Sequence, residues 1–179
     1  MILFGNELSS YLYFLLALLG GFVAGKIISW ITQNIVRQLT KKTETKLDDV
    51  LVDVFSAPLV FTAFIISLMI AQHLIILSPS ATTTFSAIIR VLWTIAGAWF
   101  LTRFLDSMIE NYISPYAAKT SSDIDDVILP ILHTVVKIVV ISMAAIMILS
   151  DFGFNVTGLV AGLGIGGLAI AFAAKDIIS

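Results

Sequence analysis

Residues 158–176 read GLVAGLGIGGLAIAFAAKD, and Gly158, Gly162, Gly164, Gly166 and Gly167 fall within ten positions of an otherwise apolar run. A glycine inside a helix costs about 1 kcal/mol relative to alanine, so a helix here forgoes roughly 5 kcal/mol of intrinsic stability. Membrane helices recover such a loss where small residues let backbones approach closely. On a wheel advancing about 100° per residue, Gly158, Gly162, Gly166, Ala169 and Ala173 share one face, and Gly164, Gly167, Ala171 and Ala174 share a broadly opposite one. Two small faces imply two close neighbours. A helix flanked on both sides by copies of itself needs two such surfaces, and head-to-tail interfaces of that kind close into rings.

Two further strips run between the small faces. Leu159, Leu163, Ile170 and Ile177 form a bulky apolar strip suited to packing on the preceding helices or on lipid. Ala161, Ile165, Leu168, Phe172, Lys175 and Ser179 form the other, apolar along most of its length and polar at its end. This second strip is expected to line the lumen of a ring. Leu168 and Phe172, one turn apart, would make rings of bulky apolar groups, a constriction that stops ions by dewetting.

The whole chain fits a membrane setting. Of its 179 residues 59% are hydrophobic and 12% charged, with a mean hydropathy of +1.03; soluble domains carry about 25% charge. A bilayer span needs about 20 mostly apolar residues, which predicts five helices over roughly 8–36, 50–77, 84–113, 127–150 and 155–177. The expected fold is an all-α integral membrane protein: two tandem helical hairpins, 1–77 and 78–150, followed by a Gly/Ala-rich helix in 151–179. The first span lacks a basic leader and a small-residue cleavage pattern, so it reads as a retained helix. There is no cysteine, hence no disulfide framework.

Arg37, Lys41, Lys42 and Lys46 crowd the connection after the first span and Lys119 follows the third, whereas 72–84 and 150–157 carry no Lys or Arg. The positive-inside rule then puts the N-terminus outside and the C-terminus in the cytoplasm. Ser179 has no terminating glycine or proline near it, so the sequence reads as part of something longer. Asn155-Val156-Thr157 is an N-cap for the fifth helix in preference to a glycan site.

Shifted by 77 residues, KTETKLDDVL (42–51) aligns with KTSSDIDDVI (119–128), Lys26 with Arg103 and Asn34 with Asn111. The two hairpins are therefore parallel copies, unlike the inverted repeats of many transporters. In each copy a hydroxyl precedes an acid by three residues, Thr45 to Asp48 and Ser122 to Asp125, a capping-box-like start to the second helix. The acid pairs Asp48–Asp49 and Asp125–Asp126 would meet the positive end of the helix dipole; no His or Cys lies near them at ligand spacing. Lys26 and Arg103 are expected to snorkel, with Arg37, Lys41, Lys42 and Lys46, toward anionic lipid headgroups.

Lys137 lies about 18 Å into its helix from Asp125 at 1.5 Å per residue, close to the midplane. Asp126, Pro130, His133 and Lys137 share one face, and Asp106 and Glu110 form an acidic face on the third helix at similar depth. An intramembrane ion pair between Asp106 and Lys137 follows, the alternative being a water- or lipid-filled crevice beside Lys137. His133, alone beside a proline, reads as a packed polar residue in preference to a pH sensor.

The run GLVAGLGIGGLAIAFAAKDIIS, preceded by DFGFNVT, resembles the pore helix of the MscS family of small-conductance mechanosensitive channels, in the branch with extra N-terminal helices. The resemblance implies a homo-oligomeric ring, usually of seven subunits, in a bacterial-type cytoplasmic (inner) membrane, opened by tension and releasing ions and osmolytes on hypo-osmotic shock. In the family two bulky apolar positions four residues apart make the seal; here they are Leu168 and Phe172, the latter where leucine or methionine is common. Family members continue into a second half of the pore helix and a cytoplasmic cage. Lipids and further copies of the chain are the expected partners; no cofactor, metal, nucleic acid, catalytic residue or enzymatic activity is expected. The alternatives are a secondary transporter or small-solute permease with a midplane site near Asp106 and Lys137, and a non-conducting sensor or scaffold.

Overall fold

The computed structural model describes residues 2–3, 6–36, 47–114 and 124–178, with the side chains of 2–3, 35–36, 47–53, 56, 124–128, 174 and 176–178 outside that description. Five helices carry the fold: α1 (Leu8–Ile31), α2 (Leu47–Gln72), α3 (Pro79–Met108), α4 (Ile124–Asp151) and α5 (Thr157–Ile178). A two-residue antiparallel ladder, β1 (Ile2–Leu3) with β2 (Asn6–Glu7), precedes them, pairing Ile2 with Glu7 and Leu3 with Asn6. Leu8–Asn34, Ala57–Leu74, Pro79–Ile113 and Leu129–Asp151 are each long and apolar enough to cross a bilayer, and α5 contributes a shorter apolar stretch, Thr157–Ala173. The chain is an all-α integral membrane protein.

The helix boundaries differ from expectation most at one turn, while α2 and α4 each begin three residues early, at Leu47 and Ile124. The second helix ends at Gln72, and the third begins at Pro79, five residues before the expected 84. The Ser78 hydroxyl accepts from Ala81 N at 3.3 Å while Pro79 fills the first turn, where its missing N–H costs nothing. Thr82, Thr83 and Thr84 then return their hydroxyls to the carbonyls four residues back, which hides their polarity inside the helix.

Successive helices pack as neighbours, α1 on α2, α2 on α3 and α3 on α4. The first contact is made by small residues. A Cβ on Gly21 would collide with the side chain of Ser67, and one on Gly25 would stand 3.0 Å from Val60 Cα and 3.0 Å from Ala63 Cβ. Gly21 and Gly25 thus form a small-xxx-small ridge on α1 against Ala63 and Ser67 on α2, and Gly25 and Ser67 are buried. Beyond that seam Ile65, Leu68, Ile89 and Ala96 make the buried apolar cluster, with Leu18, Phe61, Phe85 and Leu92 against it. Phe100 lies between Phe55, tilted to it at 4.8 Å, and Phe104, stacked on it at 6.1 Å.

The two outgoing helices end alike. α1 runs into a π turn at Thr32–Val36 and α3 into one at Ile109–Ile113, 77 residues later. Asn34 Nδ2 donates to Trp30 O at 3.0 Å and Asn111 Nδ2 to Ser107 O at 3.0 Å, the same bond four residues back in each. A side chain that enters the backbone ladder in this way is a recurrent cause of local widening. The amide pair aligned by the sequence repeat therefore marks one local structure made twice.

Candidate functional site

The α4–α5 connection sets where the glycine-rich helix starts. α4 ends in a Schellman-type cap: Gly153 takes φ +82°, Phe154 N donates to Leu149 O at 3.0 Å and Gly153 N to Ser150 O at 2.9 Å. Asn155 Oδ1 then accepts from Thr157 N at 3.0 Å, satisfying one of the free N–H groups that open α5.

Every α5 residue whose side chain is described is exposed in the single chain. A Cβ on Gly158, Gly162, Gly164, Gly166 or Gly167 would meet nothing within 4 Å, so neither small face lies against another helix of this chain. The strip of Leu159, Leu163 and Ile170 is open as well, so of the two settings expected for it, the preceding helices or lipid, the helices of this chain do not cover it. Leu168 and Phe172 are 60% and 69% exposed and Ile165 is 70% exposed, against the 0–9% of the hairpin core. Ala161 and Lys175 are exposed with them; Ser179 and the side chains of Ala174 and Ile177 lie outside the described residues. Exposed apolar surface of this extent is covered by lipid or by other chains.

The second polar feature joins α3 to α4. Lys137 Nζ lies 3.2 Å from Asp106 Oδ2, and His133 Nδ1 lies 2.6 Å from Asp106 Oδ1. An ionised carboxylate only accepts, so when Asp106 is ionised the His133 tautomer that suits this contact is the one with its proton on Nδ1. His133 is a partner of Asp106 that sequence reasoning left out, although its position one turn before Lys137 on the same face was the available signal. At the other end of the hairpin Arg90 Nε stands 3.5 Å from Asp151 Oδ1, a tie that the sequence reading did not name. Between the two ties the seam is apolar and thin: Ala98 and Ala144 line clefts on both of its sides, of about 340 and 440 Å³.

The basic residues divide. Lys26 turns back along α1, its Nζ 5.8 Å from the centre of the Phe22 ring one turn earlier, so its head rests over an aromatic face and does not extend toward the C-terminal end of the helix. Arg103 lines a polar cleft of about 290 Å³ together with Asp106, Ser107, Glu110 and Asn111. Arg37, Lys41, Lys42, Lys46 and Lys119, the hydroxyls Thr45 and Ser122, and the side chains of Asp48, Asp49, Asp125 and Asp126 lie outside the described residues. Among the described residues no group of three His, Cys, Asp or Glu side chains could hold a metal ion.

Residues 134–175 match the family described as mechanosensitive ion channel, transmembrane helices 2/3. The chain is 32% identical over 178 residues to the small-conductance mechanosensitive channel MscMJ of Methanocaldococcus jannaschii, covering 99% of this chain and 51% of that protein. It is 30% identical over 179 residues to the large-conductance mechanosensitive channel MscMJLR of the same organism, covering 99% of this chain and 50% of the relative. A 57-residue match, 47% identical, joins it to the uncharacterized MscS family protein YhdY of Bacillus subtilis, over 32% of this chain and 15% of that one. The chain spans about half the length of the first two relatives. No solved structure matches.

Proposed function

Because this chain belongs to the MscS family of mechanosensitive channels, we propose that it supplies the membrane part of a tension-opened ion channel, with α5 as the pore-lining helix. The observation that carries this reading is that α5 is open on every face in the single chain while two of those faces are built of glycine and alanine. Small faces left empty by the chain's own helices suit neighbouring copies of α5. A homo-oligomeric ring uses both faces, and family resemblance suggests seven subunits. The strip between them then faces the bore, with Leu168 and Phe172 as the seal and Ala161, Ile165, Lys175 and Ser179 along the wall.

Tension does work through area: the state of larger in-plane area gains population when the bilayer is stretched. α1–α4 form the part that the bilayer moves, and α5 slides on its smooth faces until Leu168 and Phe172 withdraw and the bore wets. Lys26, Arg37, Lys41, Lys42, Lys46 and Arg103 hold the hairpins at the anionic headgroups of the cytoplasmic leaflet, with the N-terminus outside and the C-terminus inside the cytoplasmic membrane. Asp106, engaged by both His133 and Lys137, serves as a structural tie in preference to a transport site. The chain acts as a conduit and performs no chemistry on a substrate.

Pressure-clamp recording tests this in cells that lack channels of their own and produce the full-length protein containing this chain. The reading expects stepwise currents of many ions per opening that appear only under suction. Carrier-like turnover without unitary steps, or silence up to patch rupture, would overturn it.

A further inference from the structure

Among the described residues of one chain α5 meets the hairpins only at its root. Its described side chains are exposed throughout, so among the described residues the route by which movement of α3 and α4 reaches α5 inside the same subunit is the connection 152–156. That connection is stiff. Three backbone hydrogen bonds close the end of α4, from Phe152 N to Ile148 O at 3.2 Å, Gly153 N to Ser150 O at 2.9 Å and Phe154 N to Leu149 O at 3.0 Å. Asn155 Oδ1 closes the start of α5 by accepting from Thr157 N. A turn bonded at both ends behaves as an elbow of fixed angle, so the direction of α5 follows the direction of the last turn of α4.

Among the described residues one side chain from outside this segment ties to that last turn. Arg90, on α3, places its Nε 3.5 Å from the carboxylate of Asp151, the final residue of α4. The leverage is large. α5 has 22 residues and is about 33 Å long, so a change of about 10° at the elbow moves its far end by roughly 6 Å. We propose that Arg90 is a positioning residue for the pore helix: by holding Asp151 it fixes the angle at which α5 leaves the α3–α4 hairpin and passes movement of α3 on to the pore. The Asp106–His133–Lys137 tie closes the other end of the same hairpin, so the two ties make α3 and α4 move as one lever whose output end is Asp151. This inference rests on the reading of α5 as a tension-gated pore helix.

Pressure-clamp recording of the full-length protein tests it, comparing the wild type with Arg90→Glu, Asp151→Arg and the double exchange. Each single reversal shifts the opening threshold to higher tension and flattens the response, because α3 no longer carries the elbow with it. The double exchange returns both toward the wild type, which a merely bulky or misplaced side chain would not do. Should a reversal fail to reach the membrane, Arg90→Gln, which removes the tie without repulsion, is read in the same way. Wild-type thresholds in the single variants, or a double exchange no better than the worse single, would overturn the inference while leaving a tension-gated wild type intact. A wild type silent under suction would remove the channel reading, and this inference with it.

Discussion

Lys137 Nζ on α4 lies 3.2 Å from Asp106 Oδ2 on α3, while His133 holds the other oxygen of the same carboxylate. One acid thus meets two partners across a helix seam that is apolar from there to the Arg90–Asp151 tie at its other end. Asp106→Ala leaves Lys137 without its counter-charge at membrane depth, and the expected loss of stability is about 1–3 kcal/mol, the cost of stranding a polar partner away from bulk water. His133→Phe removes one hydrogen-bond partner of the carboxylate, leaves Lys137 paired and costs less. Thermal unfolding in detergent measures both, and exchanging the two charges, Asp106→Lys with Lys137→Asp, recovers part of the loss. Equal unfolding temperatures for Asp106→Ala and the wild type would show that the tie is idle.

The glycine ridge on α1 gives a sharper contrast because adjacent residues behave oppositely. Gly21 is closed in by Ser67, whereas nothing lies within 4 Å of a Cβ on Gly20. Gly21→Ala forces the first hairpin apart and costs about 1–3 kcal/mol by overpacking, while Gly20→Ala recovers up to about 1 kcal/mol of helix propensity. Protease protection of the α1–α2 hairpin reports the difference. The same response to both substitutions would contradict the close approach.

Glycines on α5 respond differently again. A Cβ on Gly162 meets nothing in the single chain, so Gly162→Leu leaves insertion and hairpin stability unchanged and acts only where copies meet. Native electrophoresis or chemical cross-linking is expected to show loss of the oligomer at normal expression. An intact ring carrying leucine at this position would exclude tight packing on that face.

The seal can be weakened without touching the packing faces. Phe172→Ser places a polar group in the constriction, where it lowers the cost of wetting, and the expected result in patch recordings is opening at lower tension. An unchanged or higher threshold would remove Phe172 from the seal.

How much of this was readable in the sequence follows from the kind of signal each feature leaves. Long apolar runs mark helices one residue at a time, so all five helices were visible, and the repeat was visible because its lysines, aspartates and asparagines recur at one offset. The twin π turns were not visible, since Asn34 and Asn111 bond to carbonyls four residues back and nothing in composition separates that posture from an outward-facing amide. The Gly21-x-x-x-Gly25 ridge carried the same small-xxx-small pattern as α5, but a pattern does not say which helix is its partner. Asn6 was the hardest. It is buried, its Nδ2 donates to Ile76 O at 2.9 Å and its Oδ1 accepts from Ile76 N at 2.6 Å, pinning the start of the chain to the α2–α3 turn across 70 residues. A lone asparagine with a distant backbone partner leaves no local trace.

The absence of cysteine from these 179 residues makes the placement of Leu168 and Phe172 directly measurable. Single cysteines introduced at 159, 163, 165, 168, 170 and 172 of the full-length protein, with any cysteines elsewhere removed, can be treated with a water-soluble charged thiol reagent while channels are held open by suction. If α5 lines the bore with the face proposed, current changes on modification at 165, 168 and 172 and is unaffected at 159, 163 and 170. Modification of current at 159, 163 and 170 with silence at 168 and 172 would turn the helix around and contradict the account.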